Sequence, residues 1–368
     1  MKKVWTIGSI LTSILVGTAA PVALAAPAVA VATIPVQVEV DGKKVATPAG
    51  MDVIDGQVMV PLRWAAELAG ARSVQWDASK RDVRIEAPES YERFSQLRSY
   101  IRLGAAPAEW GTYLCQLPDR MNAIPRPKLS DRALVLDLEI DKIQQMEQEN
   151  KSLPLRREVI SITMQYAGQD HPYAVYSAKF VQGRVYVPMD WLNQLFGADV
   201  TYDKERGVLA IQFPNLQETK RQIAEIEAGL VPASPDETIA LWGRGLQTRT
   251  GTLLYAALSN ELRDRARVDL QARNWVTGGS SPHAGKITVQ DKKQLDADTW
   301  EYTLIYPEVT SGYMANYPNV TPADIVGTCT DKLVVKKQRT GETEGWFIAE
   351  VKQSNEYYGP VFAEKRKE

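Results

Sequence analysis

The chain contains one stretch twice. Residues 54–85 read IDGQVMVPLRWAAELAGARSVQWDASKRDVRI, and residues 181–213 read VQGRVYVPMDWLNQLFGADVTYDKERGVLAIQF. Aligned on Gly56 and Gly183, Val60-Pro61 meets Val187-Pro188, Trp64 meets Trp191, Leu68 meets Leu195 and Gly70 meets Gly197. One residue is then dropped, after which Trp76 meets Tyr202, Asp77 meets Asp203 and Ile85 meets Ile211. Self-similarity over such a length constrains architecture more tightly than any local propensity.

Each copy has a direct physical reading. Val58 and Val60, or Val185 and Val187, alternate as a short strand requires. The following proline ends the strand and presets a first helical turn, where its missing N–H does no harm. Trp64, Ala65 and Leu68 then share a helix face, as do Trp191, Leu192 and Leu195. Gly70 and Gly197 stand where a left-handed cap stops the helix. A second strand carries Trp76 or Tyr202 into an Asp-led turn, and a third returns through Val83 and Ile85 or Leu209 and Ile211. The expectation is two β-α-β-β units, each laying one apolar helix face on a small sheet. The recurring aromatics are expected in its core.

The string of residues 54–85 resembles the copper amine oxidase N-terminal-like domain, or stalk domain, of secreted bacterial proteins. Residues 181–213 resemble it with departures, Met189-Asp190 standing for Leu62-Arg63. The resemblance covers roughly the N-terminal half and implies a fold rather than a chemistry, because that accessory domain carries no catalytic residues.

Met1-Lys2-Lys3, an apolar run from Val4 to about Leu24 and the small-x-small ending Ala23-Leu24-Ala25 read as a secretory signal peptide over residues 1–25, with no permanent membrane span after cleavage. Loss of Lys2 and Lys3 moves the formal charge from −2 to −4. So nearly balanced a chain gives no case for nucleic acid as a partner. The expected place is outside the cytoplasm, secreted or in the cell envelope.

Val36, Val38 and Val40 alternate before Asp41-Gly42, a strand running into a hairpin turn that opens the first repeat, residues 26–87. Residues 88–157 form a helical and loop insert, with a helix from Tyr91 to Leu103 presenting Phe94, Leu97 and Ile101. Leu134 to Ile140 alternate like a strand, and Asp137, Glu139 and Asp141 are expected on its solvated face. The second repeat occupies 158–214. A linker helix follows in 215–233, Asn215 and Glu218 sitting at its cap and N3 positions.

The last domain, residues 234–352, opens on Ser234-Pro235-Asp236-Glu237, which places a capping serine, proline at N1 and glutamate at N3. Ile239, Trp242, Gly243 and Leu246 fall on one helical face, and a second helical stretch, 253–270, breaks at Ser259-Asn260. The period then changes to two through Ile287 and Val289, Trp300 to Tyr306, Leu333 and Val335, and Phe347 to Val351. Helices followed by a curved antiparallel sheet make an α+β cone. This order resembles the nuclear transport factor 2-like superfamily, in which a cone holds a ligand, houses an active site or is filled by its own side chains. Residues 353–368 read as a polar tail.

Candidate chemistry is scarce. Copper amine oxidation needs three histidine ligands, and the chain has two histidines, His171 and His283. Asn316-Tyr317 is followed by Pro318 where the quinone motif has an acid. Copper amine oxidation is therefore excluded, zinc ligands have no ordinary spacing, and no cofactor is expected. Cys115 and Cys329 lie in different predicted domains and are taken as separate thiols, a disulfide being the alternative. Ser280-Ser281-Pro282-His283 lacks a nucleophile elbow. The C-terminal aromatics Trp242, Tyr255, Trp275, Trp300 and Tyr302 are the candidate ligand contacts, against the plainer reading that they fill the cone.

Three functions follow. The leading one is a non-enzymatic exported protein whose stalk-type repeats present a binding or scaffolding domain to another envelope protein. The second is a binder of cell-wall glycan through aromatics. The third is a hydrolase or isomerase with a part-buried acid–base pair in the cone.

Overall fold

The computed structural model describes residues 35–54, 57–101, 113–124, 159–279, 281–340 and 343–363. The expected signal peptide, most of the insert with its acidic strand, Ser280 and the last five residues lie outside that set.

The first half runs β1 (Gln37–Val40), β2 (Lys43–Val45), β3 (Asp52–Ile54), β4 (Gln57–Pro61), α1 (Leu62–Leu68), β5 (Ser73–Asp77) and β6 (Asp82–Glu86). Next come α2 (Glu89–Ile101) and a short α3 (Asp119–Asn122). The same order then recurs as β7 (Ile160–Tyr166), β8 (Gln169–Val175), β9 (Lys179–Val181), β10 (Arg184–Pro188), α4 (Trp191–Phe196), β11 (Asp199–Asp203) and β12 (Val208–Gln212). Asp41-Gly42 and Ala167-Gly168 turn the two opening hairpins, all four residues at positive φ as a type I′ turn demands. The carboxylate of Asp77 accepts from the backbone N–H of Ser79 and Lys80, and that of Asp203 accepts from Glu205 and Arg206, so one Asx turn is built twice.

The expectation that each repeat closes its own sheet is corrected. The three sheets run β11-β12-β1-β2, β3-β4-β10-β9 and β5-β6-β7-β8, so every central pair joins one strand from each half. Val38 lies opposite Leu209 and Ile162 opposite Val83, both in parallel register. Val60 pairs antiparallel with Val187, its own counterpart in the repeat. A pseudo-twofold axis therefore passes through that pair. One apolar core spans the halves, with Val60, Val187, Leu192, Leu209 and Ile85 all buried in it. The copies share one hydrophobic pattern, so β1 fits against β12 as well as it fits its own β6. Sequence does not separate the two pairings.

The helix expectations hold in part. Pro61 ends β4 and leads directly into α1, whereas Pro188 is followed by two further residues before α4. Gly70 and Gly197 take φ of +82° and +70°. The shared face is uneven: Trp191 and Leu195 are buried, Trp64 is part-buried and Leu68 is exposed.

In the C-terminal half, α5 (Leu216–Gly229) is capped by Asn215, whose side chain accepts from the N–H groups of Gln217 and Glu218. Ser234 caps α6 (Pro235–Thr248), accepting from the Glu237 N–H. The expected break separates α7 (Gly251–Ala257) from α8 (Asn260–Ala272), with Ser259 as the cap. The strands are β13 (His283–Ala284), β14 (Thr288–Asp296), β15 (Thr299–Val309), β16 (Ile325–Thr340) and β17 (Thr343–Lys352), with α9 (Ser311–Asn316) after β15. They form one antiparallel sheet in the order β13-β15-β16-β17, with β14 also paired to β15 and bulges that curl it. The chain is thus mixed α+β.

Helix α2 ties the halves together. Tyr91 enters the first core and Leu97 and Tyr100 the second. Its polar residues are also buried and paired: the Gln96 side chain and the Tyr100 hydroxyl both donate to Glu227 of α5, and Ser99 bonds Thr252 of α7. Residues 353–363 are docked rather than a free tail. Tyr358 is buried against Tyr306, the Val361 N–H donates to Asp269, and the Ala363 N–H donates to the Arg265 carbonyl.

Two predictions test this fold. A Cβ at Gly197 meets the Phe94 ring at 2.4 Å on a left-handed backbone, whereas one at Gly70 meets Pro88 at an ordinary 3.9 Å. Gly197→Ala should lower stability by about 2–3 kcal/mol and Gly70→Ala by about 1 kcal/mol, since the second carries backbone strain alone; urea denaturation reads both. A fragment of residues 35–101 should show no dispersed amide spectrum as a monomer, and mixing it with residues 158–214 should restore dispersion.

Candidate functional site

A groove of about 280 Å³ opens beside α1. Its walls come from both halves: Arg63, Trp64 and Glu67 from α1, Trp76 from β5, Phe180 from β9 and Arg184 at the start of β10. Trp76 and Phe180 stack with ring centroids 5.1 Å apart and planes 15° from parallel. Trp64 and Trp76 are part-buried, and Phe180 keeps 45% of its surface exposed. The loop at Pro48 and Ala49 forms the rim. It is held by the Arg184 guanidinium and the Tyr186 hydroxyl, both donating to the Ala49 carbonyl, at 3.2 and 3.4 Å. Gly50 beside it has a φ of +83°, and a Cβ there would meet the Tyr186 oxygen at 2.3 Å, so this close approach needs glycine.

The pseudo-symmetry supplies an internal comparison. At the positions of Arg63, Trp76, Phe180 and Arg184 the other half carries Asp190, Tyr202, Val53 and Gln57. Trp191, the counterpart of Trp64, is buried, with an edge-to-face contact to Tyr173. Helix α2 lies against that side, its Phe94 over Gly197 and its Arg98 donating to Gln194. On that side Arg63, Phe180 and Arg184 have no like residue and Trp191 is buried, while Tyr202 keeps a part-buried aromatic ring at the place of Trp76.

The five aromatics expected from sequence sit elsewhere. Trp242, Tyr255, Trp275 and Tyr302 are buried in the C-terminal core, away from the groove. Tyr255 packs edge-on against Trp275, with the guanidinium groups of Arg263 and Arg267 beside its ring. Trp300 is part-buried under the chain's own cation, the Lys292 ammonium lying 4.7 Å from its ring centroid. The same lysine bonds Asp236, which also accepts from the Tyr302 hydroxyl, so Asp236 ties α6 to the sheet besides serving the helix dipole. The groove escaped sequence reading because the repeat pattern assigns Trp64 and Trp76 to the core, and Phe180 reaches them only through pairing across the repeats.

One buried acid stands in the C-terminal sheet. Asp331 is fully buried and accepts from the Tyr306 hydroxyl at 3.1 Å and from the Ser354 N–H at 3.3 Å. Burial pushes its pKa from 3.8 up to about 6, against those two hydrogen bonds. Residues 353–358 cover it, Asn355 donating to Glu308 and Tyr358 lying on Tyr306. The thiols are free, and burial raises both Cys115 and Cys329 to about 11, away from nucleophile range. His171 stacks on Tyr166, and burial lowers its pKa. Among the described residues no three His, Cys, Asp or Glu side chains converge. Among them, too, no helix is long and apolar enough to cross a membrane.

The family model of the copper amine oxidase N-terminal domain matches residues 37–95, from β1 into α2. No curated protein and no solved structure is significantly similar to the chain.

The pH dependence of stability follows from Asp331. Its folded pKa lies above the unfolded one, so the stability it contributes is full below about pH 4 and is lost as pH rises through about 6. Asp331→Asn, which keeps the shape of the neutral acid, should raise stability at pH 8 by on the order of 2–3 kcal/mol and change it little at pH 4, compared by urea denaturation.

Proposed function

We propose that this is a non-catalytic exported cell-envelope protein that binds cell-wall glycan through the groove beside α1. Residues 181–213 are in this reading a second, diverged copy of the same stalk-type domain. The paired copies form one rigid module that carries a cone of nuclear transport factor 2-like type as a scaffolding element. Copper amine oxidation has no place in it, for want of ligands.

One observation carries the reading: three aromatic rings are held part-exposed around one groove, where the sister half buries Trp191, has Val53 for Phe180 and keeps only Tyr202 part-buried. Burial of large apolar side chains stabilises a fold by about 1.5–3 kcal/mol each, so leaving them accessible has a use outside folding. Flat aromatic faces beside polar groups suit the apolar face of a sugar ring.

The test is co-sedimentation with purified cell wall. The wild-type protein should pellet with the wall, and Trp76→Ala combined with Phe180→Val should cut the bound fraction at least tenfold while the melting transition stays cooperative. Equal sedimentation of the two, or a wild-type protein left in the supernatant, would remove the basis for this function.

A further inference from the structure

We infer that the groove beside α1 selects a sugar bearing a negative charge, a carboxylate or phosphate substituent, over a neutral one. The inference rests on the glycan-binding reading and adds the chemical class of its ligand.

Two guanidinium groups flank the aromatic rings. Arg63 is exposed at the start of α1, and Arg184 is exposed at the start of β10; both line the groove. Neither joins an ion pair among the described residues; Arg184 spends one N–H on the Ala49 carbonyl, which leaves its other donors open. Guanidinium presents a planar fork that matches a carboxylate or phosphate with two parallel hydrogen bonds. Among the described residues Glu67 is the one acid in the lining, against the two guanidinium groups.

The sister half shows that folding does not call for these cations. In the repeat alignment Asp190 occupies the place of Arg63, as the residue just before α4 rather than within its first turn, and Gln57 that of Arg184, at the same strand start. Both arginines occur on the side that also holds the exposed rings. A groove of about 280 Å³ lies near the small end of ligand sites, which suits one ring and its substituent rather than a protein surface. The rings take the apolar face of the sugar, and the two cations take the acid at its edge.

The experiment uses the full chain and isothermal titration calorimetry. Titration with the disaccharide of N-acetylglucosamine and N-acetylmuramic acid is compared with titration by chitobiose, which lacks the carboxylate. The acidic sugar should bind at least tenfold more tightly, with an advantage that shrinks as salt is raised. Arg63→Asp and Arg184→Gln install residues the sister half tolerates. Each should bring the acidic sugar down to the level of chitobiose or below, and leave chitobiose binding within about twofold, by loss of one charge-assisted pair. Equal binding of both sugars by the wild-type protein overturns the charge selection while leaving glycan binding in place. Selectivity that survives both substitutions overturns it as well. Failure of either sugar to bind overturns the inference together with the function beneath it.

Discussion

The N-terminal structure depends on pairing across the repeat. In each of its three sheets the middle ladder joins strands from different halves: β1 with β12, β4 with β10, β6 with β7. A half taken alone would have only two-stranded ribbons, which are marginal in water. Joined, the strands bury Val38, Val60, Val83, Ile162, Val187 and Leu209 in a common core. The halves are therefore joined by backbone hydrogen bonds as well as by apolar contact.

The likeness between the two halves also makes the site legible. Where the halves agree, in the Val-Pro strand ends, the glycine caps and the Asx turns, the residues answer to backbone geometry. Where they differ, position in the assembly decides. Helix α2 settles over α4, with Phe94 against Gly197. Trp191 on that side is shut in, while Leu68 and Trp64 near α1 keep their exposure. A symmetric sequence pattern gives an asymmetric surface because one connecting helix follows the first copy and lies against the second.

The C-terminal half follows a different rule. Its aromatics are large side chains inside a curled sheet, where packing to the density of a protein interior leaves little room for a ligand. Where an aromatic face stays partly open, at Trp300, an intramolecular ammonium covers it. Gln247, almost fully buried, is fully engaged: it receives the Cys115 N–H and donates to the carbonyls of Tyr113 and Gly285. The segment from Ser354 to Tyr358 closes the polar end around Asp331. A buried acid beside a tyrosine is here enclosed by the chain's own terminus.

Sequence alone determined the elements of this protein: the internal repeat, the helix caps at Asn215 and Ser234, the break at Ser259-Asn260, the hairpin turn at Asp41-Gly42 and the change from helical to strand period in the last domain. These are signals that a residue carries with its near neighbours, through φ preference, side-chain-to-backbone hydrogen bonds and apolar spacing. Tertiary structure alone decided which strand each of them pairs with, which tryptophans are closed off and which line a groove. Two equal copies offer equal partners, so pairing within and across the repeat is degenerate in sequence. Phe180 and Trp76, about a hundred residues apart, become neighbours only after that choice is made.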